Sequence, residues 1–581
     1  MKYGLRIVSL ILAICIMTCT LTACSVSEIK RLVKSVIYGT ETAEGTPAVS
    51  ANSTDGEVDT ETETETPSAD DFEETVAQPE SALKFCLTDA DVAAYHGLVA
   101  ECEAVFLNEN STEEELTDVE DRFVDAYYYI RTQSQIAYLW YCMDTGDAAR
   151  ASDYLFSSEA SADAYDVYMQ LCKRMDVSDS PHRDRFFEGW TAAEMEEMRG
   201  FSGELTELRK SNDQILVQYR KLSDDAFYNG AADYYVQLVK NNNRIAELMG
   251  YDNYWVYAYE QEYCRDYGKT EVEEMRQYVR TYLVPLCQQT YTVFRARYKA
   301  LSQEDRAFAA ALLQKADYDD FEVDYVGNYV ATFDEACAAD MISLFEFDHS
   351  FFGVADDAHR GAYTAFLYDL YQPVCYFGPG YQGLDTVIHE MGHYYSYLVN
   401  GRSAVHMDLA EVQSQGNEWL FWHYMSTVVS EEMADVIYAY CLYDALGTVI
   451  VGTIVDEFEQ ICYEEGITTA RQADAVMADV KTRYGGETWL DTYLTDVDRY
   501  WRHVTVEQSV YYVSYAISML AAVQIYTVAE KQSYEVAMEL YLSLIDPVSY
   551  SFMDCLAETG LKTPMDEALY LELNEMMETE G

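Results

Sequence analysis

Proline is scarce in this chain, nine in 581 residues. A proline inside a helix removes a hydrogen bond and clashes with the preceding turn, so long helices are rarely broken here. Basic residues are scarce as well. Lysine and arginine total 38 against 101 acidic residues, a formal net charge of −63. Such a surface repels phosphates, which excludes a nucleic-acid partner. It favours solubility and weakly attracts cationic peptides. No C-x-x-C pair and no internal repeat occur. Histidine is rare too, with nine in all, so a regular spacing among them carries weight.

Apolar residues are plentiful. The chain is 49% hydrophobic and 14% aromatic, with 52 tyrosines, which suffices for a large core and two or three lobes. Its start reads as a processing signal. Lys2 and Arg6 precede an apolar run, Ile7 to Met17, too short to span a bilayer as a mature helix. Leu21-Thr22-Ala23-Cys24 resembles the lipobox of bacterial lipoproteins. The resemblance implies a signal over residues 1–23, cleavage before Cys24 and lipid on its thiol. An ordinary signal peptide is the alternative. Lys30, Arg31 and Lys34 then suit an anionic membrane surface. Within residues 24–80 the stretch 39–80 is acidic and low in complexity, and no lysine or arginine occurs between Gly39 and Leu83. Such a segment cannot offset the entropy of ordering, so 24–80 is expected to be a disordered, lipid-anchored spacer. Of fourteen cysteines, Cys15 and Cys19 leave with the signal and Cys24 carries lipid, leaving eleven. A dense disulfide framework is not expected; a few bridges or buried free thiols both fit.

From about Ser81 the pattern is helical. Ser111 and Glu114 have capping-box spacing, and Leu116, Val119, Phe123, Tyr127 and Ile130 recur at three or four residues. Pro373 to Phe377 reads as a short strand and Gly378 to Gly383 as a turn. Next comes "DTVIHEMGHYYS", residues 385–396. On a helix, positions four apart share a face, so His389 and His393 can offer imidazole nitrogens to one ion. Glu390 lies beside that face, placed to take a proton from water, in the H-E-x-x-H arrangement. The alternative is a surface helix with two stray histidines.

A catalytic zinc site needs a third protein ligand and an open position. "MDLAEVQSQGNEWLFW", residues 407–422, offers Glu411 and Glu418, which share a helical face. Geometry alone does not choose between them. The H-E-x-x-H-x-x-G-x-x-H type would need histidine at Val399 and is excluded.

Together these motifs resemble the M3 metallopeptidases, the thimet oligopeptidase and oligoendopeptidase F group. "DTVIHEMGH" carries the resemblance, and "LAEVQSQGNE" is similar to the family's second helix, whose first glutamate binds zinc, which points to Glu411. The loop between the two helices is shorter than the family's, and by spacing Glu418 fits better. "NRIAELMGYDNY" (243–254), "IVDEFEQ" (454–460) and "WRHVTVEQSVYYVSYAISMLAA" (501–522) resemble further family segments. The resemblance covers roughly residues 240–530. In the last segment it implies that His503, Tyr512 and Tyr515 face the zinc across a cleft, where they can donate to the negative charge that builds on the former carbonyl oxygen.

The implied fold is mainly α, a two-lobed zincin-type metallopeptidase with a deep cleft and a small sheet near the zinc. It has an N-terminal helical part (81–240) and a catalytic region (241–581). The expected activity is zinc-dependent hydrolysis of internal bonds in short peptides outside the cell, by a monomer holding one zinc ion on His389, His393 and Glu411. Gly392 is expected to allow close helix packing, and the strand near Tyr376 to pair edge-on with substrate. A peptidyl-dipeptidase or carboxypeptidase of the same architecture is a close rival. A peptide-capturing lipoprotein that does not cut, and a surface protein braced by zinc, are the readings from other classes.

Overall fold

The computed structural model describes residues 83–579, apart from short stretches at 191–194, 196–197, 223, 314–319, 347, 404–405, 487–496 and 548–550. The expected signal, Cys24 and the acidic spacer lie outside the described residues.

The chain is mostly helical. The N-terminal part includes α1 (Asp89–Leu107), α2 (Glu113–Met143), α3 (Ala148–Asp176) and α4 (Gly203–Tyr219). The five apolar positions read as one stripe, Leu116 to Ile130, are all buried on α2. Its capping box falls one residue later than the spacing suggests. Thr112 is the N-cap and Glu115 reaches back to it, while the Ser111 hydroxyl donates to the Val105 carbonyl at the end of α1.

Three strands follow: β1 (Ser350–Phe352), β2 (Ala362–Leu367) and β3 (Gln372–Phe377). Their order is β1-β3-β2, with β3 parallel to β1 and antiparallel to β2. This corrects the expectation of edge pairing near Tyr376. Tyr376 sits on the central strand, paired with Phe351 on one side and Tyr363 on the other, so its backbone has no edge to offer. Among the described strands β2 is the outer one on that side. Pro373 is tolerated because β1 reaches only Cys375 to Phe377 and leaves Pro373 beside β2 alone.

The C-terminal part adds α5 (Leu384–Asn400), α6 (Met407–Val428), α7 (Glu431–Glu465), α8 (Val497–Glu507) and α9 (Val513–Lys531). α6 packs on α5 and α9, and α7 packs on α9. α7 and α9 are long and apolar enough to cross a membrane by composition, but 83% and 78% of those stretches are buried within the fold. They are core helices. One large apolar core runs from Leu87 to Leu573. The eleven cysteines of the described residues are all free, nine of them buried.

Candidate active site

α5 carries half-buried His389 and buried Glu390 and His393 next to one another against α6. The helices approach so closely that Gly392 has no room for a side chain. A Cβ there would meet the Gln413 carbonyl and the Ser414 Cα, both at 2.7 Å. The Asn417 amide donates to the Ile388 carbonyl at 2.7 Å and its oxygen accepts from Tyr329 at 2.6 Å, fixing the register of the pair.

This packing brings His389, His393 and Glu411 together. His389 Nε2 lies 3.4 Å and His393 Nε2 3.6 Å from the same carboxylate oxygen, Glu411 Oε2. A tetrahedral ion with bonds of about 2.0–2.2 Å separates neighbouring ligand atoms by about 3.3–3.5 Å. The donor set and its spacing therefore fit a divalent ion, and among the described residues this is the one such cluster. Glu418 plays another part. Its Oε1 lies 2.6 Å from His389 Nδ1, so it orients the ring and leaves Nε2 free to face Glu411. Burial would lower the pKa of His389, but Glu411 and Glu418 raise it well above its usual value. Burial would raise Glu411, yet the two histidines hold it well below the usual carboxylate range. A cleft with this excess of carboxylate favours a cation.

Glu390 is 3% exposed and accepts the Thr364 hydroxyl of β2 at 2.6 Å. Burial pushes its carboxyl up, against the pull of His393, His389 and Thr364. A carboxylate raised in this way is better matched to accept and return a proton near neutral pH.

The tyrosine-rich segment approaches from the opposite side, and one residue not singled out from the sequence comes closest. Tyr511 donates its hydroxyl to Glu411 Oε1. Tyr515 packs edge-on against the rings of Tyr511 and Tyr512, at 5.2 and 5.3 Å, and the Tyr512 hydroxyl bonds that of Tyr500. His503 points elsewhere, with Nδ1 2.7 Å from the Tyr219 hydroxyl.

The turn that holds Tyr511 is fastened from three directions. Val510 has φ +61°, a costly conformation for a β-branched residue. Its N–H donates to Glu459 at 2.9 Å and its carbonyl accepts from Arg265 at 3.1 Å. Tyr263 donates to the Ser509 carbonyl at 2.7 Å. Arg265 also faces Asp408, one turn before Glu411, and both side chains are fully buried. Ligand helix and tyrosine turn thus share one anchor.

A cavity of about 360 Å³ adjoins the site, within the size range of ligand pockets. Thr364, Ala365 and Phe366 of β2 form one wall, and Tyr263 and Ser509 bring it to the tyrosine turn. α2, α3 and α4 of the N-terminal part supply much of the rest, including Arg131, Arg209 and Arg220, and Glu262 and Glu507 line it too.

Solved structures share this architecture. One described as an oligoendopeptidase F superposes with a TM-score of 0.68 at 16% identity, over 85% of this chain and 97% of its own. The chain has the oligoendopeptidase F fold. A second, described as an oligoendopeptidase F from Bacillus anthracis, gives 0.64 at 17% identity, over 85% and 96%. PZ peptidase A, solved with an inhibitor, gives 0.61 at 16%, over 85% and 97%. No family model matches the sequence, and no curated protein matches it.

Proposed function

We propose that the protein is a zinc-dependent oligopeptidase that hydrolyses internal bonds of short peptides. The observation that carries this reading is the convergence of His389 Nε2 and His393 Nε2 on Glu411 Oε2, with Glu390 buried alongside and held by Thr364. Likeness of fold to oligoendopeptidases adds support. His389, His393 and Glu411 would hold the ion. When bound, such an ion lowers the pKa of water and polarises a carbonyl.

The chain's own residues do the rest. Glu390 takes a proton from the attacking water and later delivers it to the leaving amine. Tyr515, with Tyr512 as a further candidate, donates to the oxygen on which negative charge builds; His503, turned to Tyr219, is left out of that role. Tyr511 steadies Glu411 and is a positioning residue. β2, rather than the strand carrying Tyr376, offers its outer edge to an extended peptide. A non-cutting peptide binder would have no use for a buried carboxylate beside the ligands, which weighs against that alternative.

The same reading places the enzyme outside the cell, tethered by lipid on Cys24 and lifted off the membrane by the acidic spacer. Its support is the sequence of residues 1–80.

The test combines metal analysis of the purified protein with cleavage of fluorescence-quenched short peptides. About one zinc per chain and chelator-sensitive cleavage are expected. Glu390→Gln should keep the metal and lose about 10²–10⁴ in rate or more. Near-normal turnover by Glu390→Gln would refute the mechanism, and a metal-free chain that still cleaves would refute the zinc reading.

A further inference from the structure

Arg209, on α4, projects into the cavity wall and is half-buried. Its hydrogen-bonding contact is a long one, 3.4 Å to the Tyr257 hydroxyl, and its guanidinium lies 5.8 Å from the centre of the Tyr165 ring. Among the described residues no carboxylate approaches it within 4.0 Å. That is unusual in a chain with 101 acids and 38 bases. Arg174, Arg183 and Arg185 in the same N-terminal part each meet a carboxylate at 2.6 to 2.7 Å. So does Arg220 of the same cavity, on Glu507.

The acidic residues near Arg209 are already engaged otherwise. Glu262 accepts the Tyr254 hydroxyl at 2.5 Å, and Asp213 accepts the Ser158 hydroxyl. A guanidinium has five N–H donors in a planar fork, of which the Tyr257 contact uses at most one. Glu262 and Asp213 favour its charge from a distance without touching it, so most of its donors stay available, and its fork matches a carboxylate in two-point fashion. The position is suggestive as well. The cavity meets the site at Thr364, which bonds Glu390, and at Tyr263, whose ring packs 5.5 Å from Tyr511. A peptide lying along β2 with its scissile bond at Glu390 has this cavity to occupy.

We propose that Arg209 binds a carboxylate of the peptide substrate, so that the cleft selects peptides carrying an anion at a set distance from the bond that is cut. This rests on the peptidase reading. The anion is either the peptide's C-terminal carboxylate or an acidic side chain.

Equilibrium binding separates these sources and stays readable without turnover. The full chain with Glu390→Gln is titrated with three labelled short peptides of one sequence: the free acid, the C-terminal amide, and the amide with one glutamine changed to glutamate. The free acid should bind about tenfold to a hundredfold tighter than the amide, the usual size of a charge-assisted pair. Adding Arg209→Met should abolish the difference, and Arg209→Lys should retain part of it. If the glutamate-bearing amide regains the affinity instead, the anion recognised is a side chain. Equal affinities for all three peptides, or a preference that survives Arg209→Met, would overturn the proposal. Turnover of the same peptides by the parent protein is measured in parallel. Cleavage without discrimination removes the Arg209 role alone, and discrimination without cleavage removes the peptidase reading alone.

Discussion

Replacing Arg220 with methionine should destabilise the protein by about 3–5 kcal/mol. Arg220 caps the C-terminus of α4, and its guanidinium grips Glu507 at the end of α8, with Nη2 2.6 Å from Oε2 and Nε 3.2 Å from Oε1. The side chains are only 4% and 3% exposed, so removing the cation strands a buried carboxylate. A second route gives a similar figure. Burial alone would raise Glu507, but Arg220 outweighs it and holds the carboxyl at about 2. Against an ordinary value of about 4.3, that difference corresponds to about 3 kcal/mol. With an unfolding entropy of about 2.1 cal/mol/K per residue over some 500 ordered residues, the melting temperature should fall by about 3–5 °C. The pH dependence is also set. A carboxyl with a depressed folded-state pKa stabilises the fold fully above about pH 4.3 and loses that contribution as pH falls through about 2. The gap between parent and Arg220→Met should therefore be wide at pH 7 and close near pH 2. Scanning calorimetry and urea midpoints at several pH values measure it, with Arg220→Met/Glu507→Gln as the rescue. A loss under about 1 kcal/mol at pH 7, as for a surface pair, or a gap unchanged at pH 3, would refute the reasoning.

Two tyrosines should separate by assay. Tyr511→Phe should weaken metal affinity about 10–100-fold in chelator competition, because it removes the partner of Glu411. Tyr515→Phe should leave metal affinity alone and lower kcat about 10²-fold with little change in KM; an effect confined to KM would make Tyr515 a wall of the cleft. Gly392→Ala should push α5 off α6 and lower both stability and bound metal, measured by melting and metal content. Cys24→Ala should move the protein from the membrane fraction to the soluble one, while external protease cutting within 39–80 should release the parent. Recovery of both forms in the cytosol would remove the anchoring claim without touching the site.

The helices were legible because few prolines interrupt them and their apolar stripes are regular. The histidine pair was legible because a spacing of four puts both rings on one side of any helix. The two glutamates seven apart were not separable, and the structure gives the reason. Both reach His389, Glu411 at Nε2 and Glu418 at Nδ1, so the shared face implied by the spacing is real and the roles differ only by ring nitrogen. Tyr511 is not legible from helical spacing because it sits in a turn. α9 begins at Val513 with Tyr512 as its N-cap, so Tyr511 does not follow helical spacing, and its direction depends on the left-handed backbone of Val510. The sheet edge is not legible for a topological reason. A strand's own residues do not say whether one neighbour or two will flank it.

The buried thiols have a consequence for handling. Burial pushes Cys102, Cys142, Cys287 and Cys337 up to about 12. At pH 7 such a thiol is ionised in about one molecule in 10⁵, and the thiolate is the form that reacts. Air, peroxide and alkylating reagents therefore find almost nothing to attack in the folded body beyond exposed Cys86 and half-buried Cys264. A maleimide dye added to the native protein would mark the entrance to the folded region at Cys86, and a sudden rise in dye uptake on heating would report the core opening.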